Sequence, residues 1–304
     1  MLPPALTYFR EVALSGSIRR AAEHLSIAPS AISRQISNLE AELQATFFDR
    51  RARRLTLTPA GELLLAYSER SSADFGTLRD SLQQIAGLQA GQVRVGSVEG
   101  MVTYFLSRYL ATFDKRYPGV KVTVSIVGSR AVLEQLRDGE VDLALAFGLP
   151  TRNPFRVHAR LEQPLCLIVA AGHKLASRRS ISFKALADQR VALPDLTFQI
   201  RTLIDAIALK TKTPLKHVIE TNTLEMAKGV VRNSELLTFL PRYAALREIA
   251  NGELCAVPLQ ERDLASTSIS LITMPSRQLS PAARKLMETL KAGMTRSGAS
   301  SDRG

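Results

Sequence analysis

The sequence has 304 residues, of which 45% are hydrophobic and 22% are charged, which is typical of a globular protein with two or three domains. Its 40 lysines and arginines outnumber its 28 acidic residues, so a polyanionic partner such as a nucleic acid or a membrane surface is expected. Two cysteines are too few for a disulfide scaffold, and no run approaches the roughly 18 apolar residues of a membrane span. We therefore predict a cytoplasmic protein without a membrane partner; Arg10 and Glu11 argue against a secretion signal.

The positive charge is distributed unevenly along the chain. Residues 1–60 contain eight arginines and five acidic residues, and residues 61–90 contain two arginines and four acidic residues. Residues 152–216 alone contain twelve basic and four acidic residues. Two interpretations remain open for this basic segment: solvated side chains with no special role, or a surface that attracts an anion.

Three short helices are predicted in the first 43 residues. Apolar residues recur at helical spacing, and the first helix ends near Gly16. Ser17 is a suitable N-cap for the second helix. The third helix is predicted to bury Ile32, Ile36, Leu39 and Leu43. Its opposite face carries Ser30, Ser33, Arg34 and Ser37. Short helices joined by a brief turn form a helix-turn-helix pattern, and hydroxyls with an arginine suit the major groove of DNA.

An arginine-rich hairpin is predicted directly downstream. Residues 50–54 read RRARR, and residues 55–58 alternate as LTLT. Alternation of apolar and polar residues indicates a β-strand, and the basic run would lie at the tip of the hairpin. A run of this kind is often only a solvated turn, but beside three short helices it suits contact with phosphates.

The N-terminal segment resembles the winged helix-turn-helix of LysR-type transcriptional regulators. The resemblance is carried by residues 21–25 (AAEHL), 28–36 (APSAISRQI), 39–43 (LEAEL) and 47–61 (FFDRRARRLTLTPAG). It implies that Pro29, Ser30, Ser33 and Arg34 face the DNA groove beside Ser37, and that Arg53 and Arg54 lie on the wing. Two residues depart from the family pattern. Ala28 stands where serine is common, so the third helix is expected to lack a side-chain cap; Ala52 stands where glycine is common.

A long amphipathic helix is predicted over residues 59–90. Pro59 suits its first turn, and apolar residues such as Leu63, Tyr67, Leu78 and Leu82 mark one stripe. No later helix is close enough in sequence to cover this stripe, which favours pairing with a second copy of the chain. Packing against the chain's own C-terminal part is the alternative. In the resembling family the helix is a linker that dimerises the protein, so a homodimer or homotetramer is expected.

Residues 91–304 alternate between strand and helix patterns, which predicts an α/β fold with a parallel sheet. A second α/β set follows the first, and a late strand returns to it. The resemblance, which spans essentially the whole chain, implies a two-lobed periplasmic-binding-protein-like (type 2) effector domain. The expected domains are residues 1–58 for DNA binding, 59–90 for the linker and 91–304 for the effector. Lobe I would comprise about 91–163 and 268–295, and lobe II about 164–267.

An effector site is expected between the lobes. Hydroxyls and backbone amides at predicted helix starts favour an anion such as a carboxylate, and Arg201 is a candidate for a bidentate pair with it. The candidate residues are Ser97, Val98, Glu99, Gly100, Met101, Ser129, Phe147, Phe198, Arg201 and Asn222. The alternative is that the hydroxyls only cap helices and the apolar side chains only fill the core. Glu99 would repel an anionic effector unless it faces away.

No enzyme motif is recognised. Glycine-rich nucleotide loops and nucleophile elbows are absent, and the four histidines lack metal-ligand spacing, so no metal or cofactor is expected. Cys166 and Cys255 are interpreted as core residues, with a redox pair left open. An exported solute-binding protein would leave the first 90 residues unused. We therefore predict a DNA-binding regulator controlled by a small-molecule effector, with RNA polymerase as a partner if it activates transcription.

Overall fold

The computed structural model describes residues 3–49, 55–85, 91–150 and 152–301. The N-terminal part begins with three helices and a short antiparallel hairpin, as the sequence predicts. These elements are α1 (Pro4–Ser15), α2 (Ile18–Leu25), α3 (Pro29–Glu42), β1 (Phe48–Asp49) and β2 (Thr56–Leu57). Residues 50–54 at the tip of the hairpin lie outside the described residues, and the predictions for Ala52, Arg53 and Arg54 lie there with them.

Aromatic packing joins the three helices to the hairpin. Phe9 of α1 is fully buried, and its ring centroid lies 5.5 Å from that of Phe47 and 5.3 Å from that of Phe48. Ile32 and Ile36 of α3 enter the same core, as expected. Leu43 does not, and this prediction is wrong: α3 ends at Glu42, and Leu43 is 50% exposed.

A single helix, α4 (Pro59–Ile85), follows the hairpin; at 1.5 Å per residue its 27 residues span about 40 Å. Its start is fixed by Thr58, whose hydroxyl accepts a hydrogen bond from the Gly61 amide and donates one to the Thr46 carbonyl. A Cβ atom at position 61 would lie 2.2 Å from the Phe47 carbonyl oxygen, so only glycine fits there. Residues 86–90 lie outside the described residues.

The rest of the chain contains ten strands and seven α-helices among its described residues. The strands are β3 (Gly91–Ser97), β4 (Val120–Ile126), β5 (Leu143–Phe147), β6 (Arg156–Glu162), β7 (Leu165–Ala170), β8 (Arg190–Pro194), β9 (Lys216–Thr221), β10 (Thr238–Pro241), β11 (Leu254–Pro258) and β12 (Ser268–Thr273). The helices are α5 (Ser107–Arg116), α6 (Ser129–Asp138), α7 (Gln199–Thr211), α8 (Leu224–Arg232), α9 (Leu246–Ala250), α10 (Arg262–Ala265) and α11 (Pro281–Ser301).

These elements form two lobes. We use lobe I for the five-stranded sheet, ordered β4-β3-β5-β12-β6, with its helices, and lobe II for the elements from β7 to α10. In lobe II, β7 lies between β10 and β11, and β8 pairs with β9. The chain crosses from β6 to β7 and returns before β12. Both lobes contribute to one continuous apolar core.

The lobe I sheet is mixed, not parallel as predicted. β3 runs parallel to β4 and β5, whereas β12 runs antiparallel to β5 and β6. The direction of β12 is set by the return of the chain from lobe II, which the local pattern of residues 268–273 does not encode. The sheet is an α/β sheet whose far edge is antiparallel, a common arrangement in large sheets.

The two cysteines lie on neighbouring strands but cannot form a disulfide in this arrangement. Cys255 of β11 is opposite Val169 of β7, so it is offset by three residues from Cys166. Three residues correspond to about 10 Å along a strand, beyond the roughly 7 Å limit between the Cα atoms of a disulfide. Burial raises the pKa of the Cys166 thiol, which disfavours the reactive thiolate. The geometry therefore favours the interpretation as core residues.

Two features are absent from the part of the chain that the structure describes. None of its helices is long and apolar enough to cross a membrane. No three of its histidine, cysteine and acidic side chains form a group suited to hold a metal ion.

Candidate functional site

The outer face of α3 is a candidate nucleic-acid surface. Pro29, Ser30, Arg34 and Ser37 are exposed and Ser33 is half-buried, on the side of the helix opposite its buried isoleucines. The helical spacing of these residues places them along one stripe. In the described part of the chain, the Arg34 guanidinium has no carboxylate partner, so its donors remain available for a base edge or a phosphate.

The start of α3 also follows the sequence-based expectation. Ala28 occupies the N-cap, and no side chain caps the helix there. Pro29 takes the first helical position, where its fixed backbone angle suits the helix and its missing N–H needs no partner. α2, by contrast, is capped by Ser17, whose hydroxyl accepts from the Arg20 amide. The third helix therefore starts without a serine cap, as its departure from the family pattern predicts.

A cavity of about 20 Å³ lies between the two lobes, with room for about one water molecule. It is lined by residues of both lobes: Val98, Glu99, Gly100, Ser129, Phe147, Phe198, Gln199, Ile200, Leu224, Pro241 and Ile269. Six of the ten predicted effector-site residues are thus brought together here. Most of the lining is apolar. The lobes are closed on each other, so a larger molecule requires them to separate.

Three of the predicted effector residues lie elsewhere. Ser97 is fully buried, and its hydroxyl donates to the Val98 carbonyl oxygen at 3.1 Å. Met101 is fully buried in the core of lobe I. Asn222 is exposed, and the cap of α8 is its neighbour Thr223, whose hydroxyl accepts from the Met226 amide. The structure therefore does not bring these three residues to the cavity lining.

Arg201 is already bound by the chain's own carboxylates. Its Nε donates to both carboxylate oxygens of Asp205, at 3.1 and 2.9 Å. Its Nη1 donates to Glu220 and, at 3.3 Å, to the Pro194 carbonyl. These partners occupy the guanidinium, and Arg201 is not among the residues that line the cavity. It is not free to hold an effector carboxylate.

Glu99 faces lobe II instead of turning away from the cleft. It follows β3 in a short tight turn, Glu99–Met101, which leads through a wider π-helical turn, Val102–Leu106, into α5. One carboxylate oxygen accepts a hydrogen bond from the Leu224 amide at 2.8 Å, and the other accepts from the Glu225 amide at 3.1 Å. A lobe I carboxylate therefore binds the N-terminus of α8 in lobe II.

Ser129 is a second polar residue of lobe I in the cavity lining, at the start of α6. It is only 5% exposed, and within the described residues its hydroxyl has no hydrogen-bond partner. A polar group placed beside this hydroxyl could form a hydrogen bond with it. Phe147, Phe198 and Ile200 surround the same space with apolar surface.

Two glycines mark where the lobes touch. A Cβ atom at Gly128 would lie 2.2 Å from the backbone oxygen of Thr197. One at Gly148, which has a φ of +66°, would lie 2.7 Å from Cγ of Gln199. Both glycines belong to lobe I and both contacted residues belong to lobe II, so the absence of side chains permits the close approach.

Sequence reasoning missed five residues of the cavity lining. Gln199, Ile200 and Leu224 lie in the first turns of α7 and α8. Because both helices are predicted from the sequence, their starts could have indicated these three residues as part of the lining. Pro241 ends β10. Ile269 of β12 reaches the cavity because it pairs with Phe147 of β5, and no local pattern shows that pairing.

The far end of α6 contacts the long helix α4. Arg277 donates from Nη2 to the carbonyl oxygen of Asp138 at 3.1 Å, and its guanidinium lies directly over Gly139. Asp74 of α4 lines the same small pocket. Burial lowers the pKa of Arg277, and the Asp74 carboxylate opposes that effect. α6 thus has one end at the cavity and the other at the linker helix.

Two family models match the chain. The model described as "Bacterial regulatory helix-turn-helix protein, lysR family" matches residues 4–62, and "LysR substrate binding domain" matches residues 86–295. A "Probable RuBisCO transcriptional regulator" of Gracilaria tenuistipitata var. liui is 30% identical over 91% of this chain and 92% of its own length. The similarly named protein of Chlorokybus atmophyticus is 28% identical over 92% and 91%.

Solved structures share the fold. A full-length OxyR variant of Pseudomonas aeruginosa has a TM-score of 0.70 at 20% identity, covering 95% of this chain and 93% of its own. Full-length CbnR, solved with its target DNA, has a TM-score of 0.66 at 18% identity, covering 95% and 98%. The Synechocystis PCC6803 CcmR regulatory domain, solved with 2-PG, has a TM-score of 0.60 at 19% identity, covering 66% and 96%.

Proposed function

Because the chain belongs to the LysR family of transcriptional regulators, we propose that its α3 face reads operator DNA and that a small molecule bound between its lobes controls this activity. The chain is a regulator with a winged helix-turn-helix and an effector-binding domain. We retain residues 1–58, 59–90 and 91–304 as the proposed domain limits. The proposal assigns no catalytic step to the chain, in line with relatives that are named as regulators.

The observation that carries the DNA-binding proposal is the exposed polar stripe of α3, with Arg34 free of carboxylates in the described part of the chain. Pro29, Ser30, Ser33 and Ser37 complete the proposed contact surface, and Arg53 and Arg54 are proposed for the wing. Support comes from CbnR, a protein of similar fold that was solved with its target DNA. A regulator of this kind must reach the chromosome to bind its operator, so we propose that the protein is cytoplasmic.

The test is fluorescence anisotropy with DNA from the promoter region of the protein's own gene. We expect specific binding that weakens steeply as salt is raised, because contacts with phosphates release counterions. A scrambled fragment of the same length serves as the control. Equal affinity for both fragments at every salt concentration would refute the proposal.

We further propose that α4 dimerises the protein. Its exposed apolar residues are Leu63, Tyr67, Phe75, Leu78 and Leu82. Their spacing places most of them on one stripe, and a stripe of that size in water favours a second copy over solvent. A dimer matches the paired half-sites of an operator. Sedimentation equilibrium is expected to give two or four times the chain mass of 33.3 kDa, for a homodimer or homotetramer. RNA polymerase is a proposed partner if the protein activates transcription.

The effector is proposed to bind in the cavity, with its polar group at Ser129 and its apolar part against Phe147, Phe198 and Ile200. A carboxylate remains our choice for that polar group, because the first turn of a helix favours an anion. The CcmR regulatory domain, similar in fold, was solved with a small molecule, which supports an effector site. A thermal-shift screen of small monocarboxylic and aromatic acids, with their amides as controls, tests the ligand class.

Ser129→Ala is expected to weaken effector binding about fivefold, because one hydrogen bond contributes about 1 kcal/mol. The measurement is the concentration of the acid found in the screen that gives half of its full thermal stabilisation. Ser107→Ala, on an exposed face of α5, is the matched control. Operator binding without effector should be unchanged in both variants. A normal dose–response in Ser129→Ala would remove this hydroxyl from the site.

A further inference from the structure

We propose that Glu99 is a built-in anionic ligand of the cleft, which closes lobe I onto lobe II and restricts the effector to molecules without an anionic group at the α8 end. The restriction on the effector rests on the proposed function, because it assumes that an effector binds between the lobes. The proposal concerns the residue that determines specificity, and it begins from a contact between segments 125 positions apart in the chain.

The Glu99 carboxylate accepts hydrogen bonds from the amides at the α8 N-terminus that would otherwise lack a partner. The first four amides of a helix have no partner within the helix. Here the Leu224 and Glu225 amides donate to the two oxygens of Glu99, at 2.8 and 3.1 Å. The Met226 amide donates to the hydroxyl of Thr223 at 3.1 Å, and the amide of Thr223, the N-cap, donates to the hydroxyl of Thr221 at 3.2 Å. All four amides are occupied, so no donor remains for an added anion.

Two cations beside this helix, Lys228 and Arg247, are paired with carboxylates. Lys228 is buried, and its Nζ lies 3.0 Å from a carboxylate oxygen of Glu248 and 2.9 Å from one of Glu225. Arg247 lies 3.2 Å from the same Glu248 carboxylate. An anionic group brought to the α8 end would therefore meet the Glu99 carboxylate, while Lys228 and Arg247 are already paired with other carboxylates.

The two ends of the cavity consequently differ. At the lobe I end, Ser129 offers a hydroxyl without a partner among the described residues. At the lobe II end, the place of an anion is filled by Glu99. An effector with a single polar or anionic group can place that group at Ser129 and leave Glu99 where it is. An effector with anionic groups at both ends must displace Glu99. The carboxylate also bridges the lobes as a bound anion would, which accounts for the small closed cavity.

The test is chemical rescue of Glu99→Ala in the full-length chain. Hydrogen–deuterium exchange is followed by mass spectrometry in a peptide that contains residues 222–228. Loss of the carboxylate is expected to raise the exchange of the Leu224 and Glu225 amides by about tenfold or more, because they have no other acceptor. Acetate, which replaces the missing group, is expected to restore protection. Acetamide, which is similar in size but uncharged, is not.

Two further variants make the result specific. Glu134→Ala removes an exposed lobe I carboxylate that pairs with Arg130, and it should leave these amides protected with or without acetate. Glu99→Gln keeps the volume of the side chain; it should show intermediate protection and no response to acetate, because no space is opened. It also serves if Glu99→Ala fails to fold.

The proposal is overturned if the amides stay protected in Glu99→Ala and Glu99→Gln, or if acetamide protects as well as acetate. Operator binding is measured on the same samples. Failure of rescue in a variant that still binds the operator counts against the Glu99 proposal alone. Failure of the unaltered protein to bind the operator counts against the proposed function alone.

Discussion

Gly128→Ala is expected to prevent full closure of the two lobes and to lower the free energy of unfolding by about 1–3 kcal/mol. The added Cβ atom would lie 2.2 Å from the backbone oxygen of Thr197, and a backbone atom cannot turn aside as a flexible side chain can. The lobes must separate locally, and overpacking of this kind costs roughly 1–3 kcal/mol. The hydrogen bonds from the Leu224 and Glu225 amides to the Glu99 carboxylate would be strained at the same time.

The measurement is the free energy of unfolding in urea. Gly172→Ala is the control, because a Cβ atom there meets nothing within 4 Å and its backbone requires no glycine. The control should change the free energy of unfolding by no more than about 0.5 kcal/mol. An unchanged free energy of unfolding in Gly128→Ala would show that the two lobes are not held in this close approach.

Arg34→Ala is expected to weaken operator binding by about 1–3 kcal/mol, which corresponds to about 5- to 150-fold. Arg34 is exposed on the polar stripe of α3, and an arginine there can donate two hydrogen bonds to a guanine edge. If it reads a base, the loss should be much larger for the operator than for a scrambled fragment. Anisotropy titrations with both fragments measure this difference.

Arg130→Ala is the matched control for the loss of one positive charge. Arg130 is exposed on α6 of lobe I and pairs with Glu134, so it has no proposed part in reading DNA. An equal decrease in affinity for both variants would assign the effect of Arg34 to general charge. An equal decrease for both fragments would assign Arg34 to phosphate contact.

The helix-turn-helix was predictable because its signals are local. Apolar spacing identified Ile32 and Ile36 as core residues, and the serine cap marked the start of α2. The failure at Leu43 has the same origin: spacing extends a pattern, but it does not show where the helix stops. The linker helix α4 was likewise visible from its apolar stripe.

The strands β6, β9 and β11 were missed, and each lies at an edge of its sheet. An edge strand is covered on fewer sides, so its residues need not alternate between apolar and polar. β9 illustrates this, because most of its residues are exposed or half-buried. The mixed direction of the lobe I sheet was also hidden, since it depends on pairing between residues more than 100 positions apart.

The effector cleft was only partly predictable. Helix starts brought Ser129 and Phe198 into the set, and both line the cavity. Arg201 does not line the cavity, and Asp205 four residues later is a partner visible in the sequence itself. Its second partner, Glu220, is not visible, because it comes from a separate strand. For Glu99, no local pattern indicates that α8 supplies the amides it binds.

The placement of α6 bears on how occupancy of the cleft is transmitted to DNA. A helix of ten residues is about 15 Å long and does not compress, so it moves as a rigid rod. Ser129 is at one end of this rod, and the other end meets Arg277 beside Asp74 of α4. We expect a small tilt imposed at the first end to shift the linker helix at the second. The distance between the two operator-reading helices of a dimer would then depend on the rigid movement of α6 within lobe I. No segment of the chain would need to unfold or reorder.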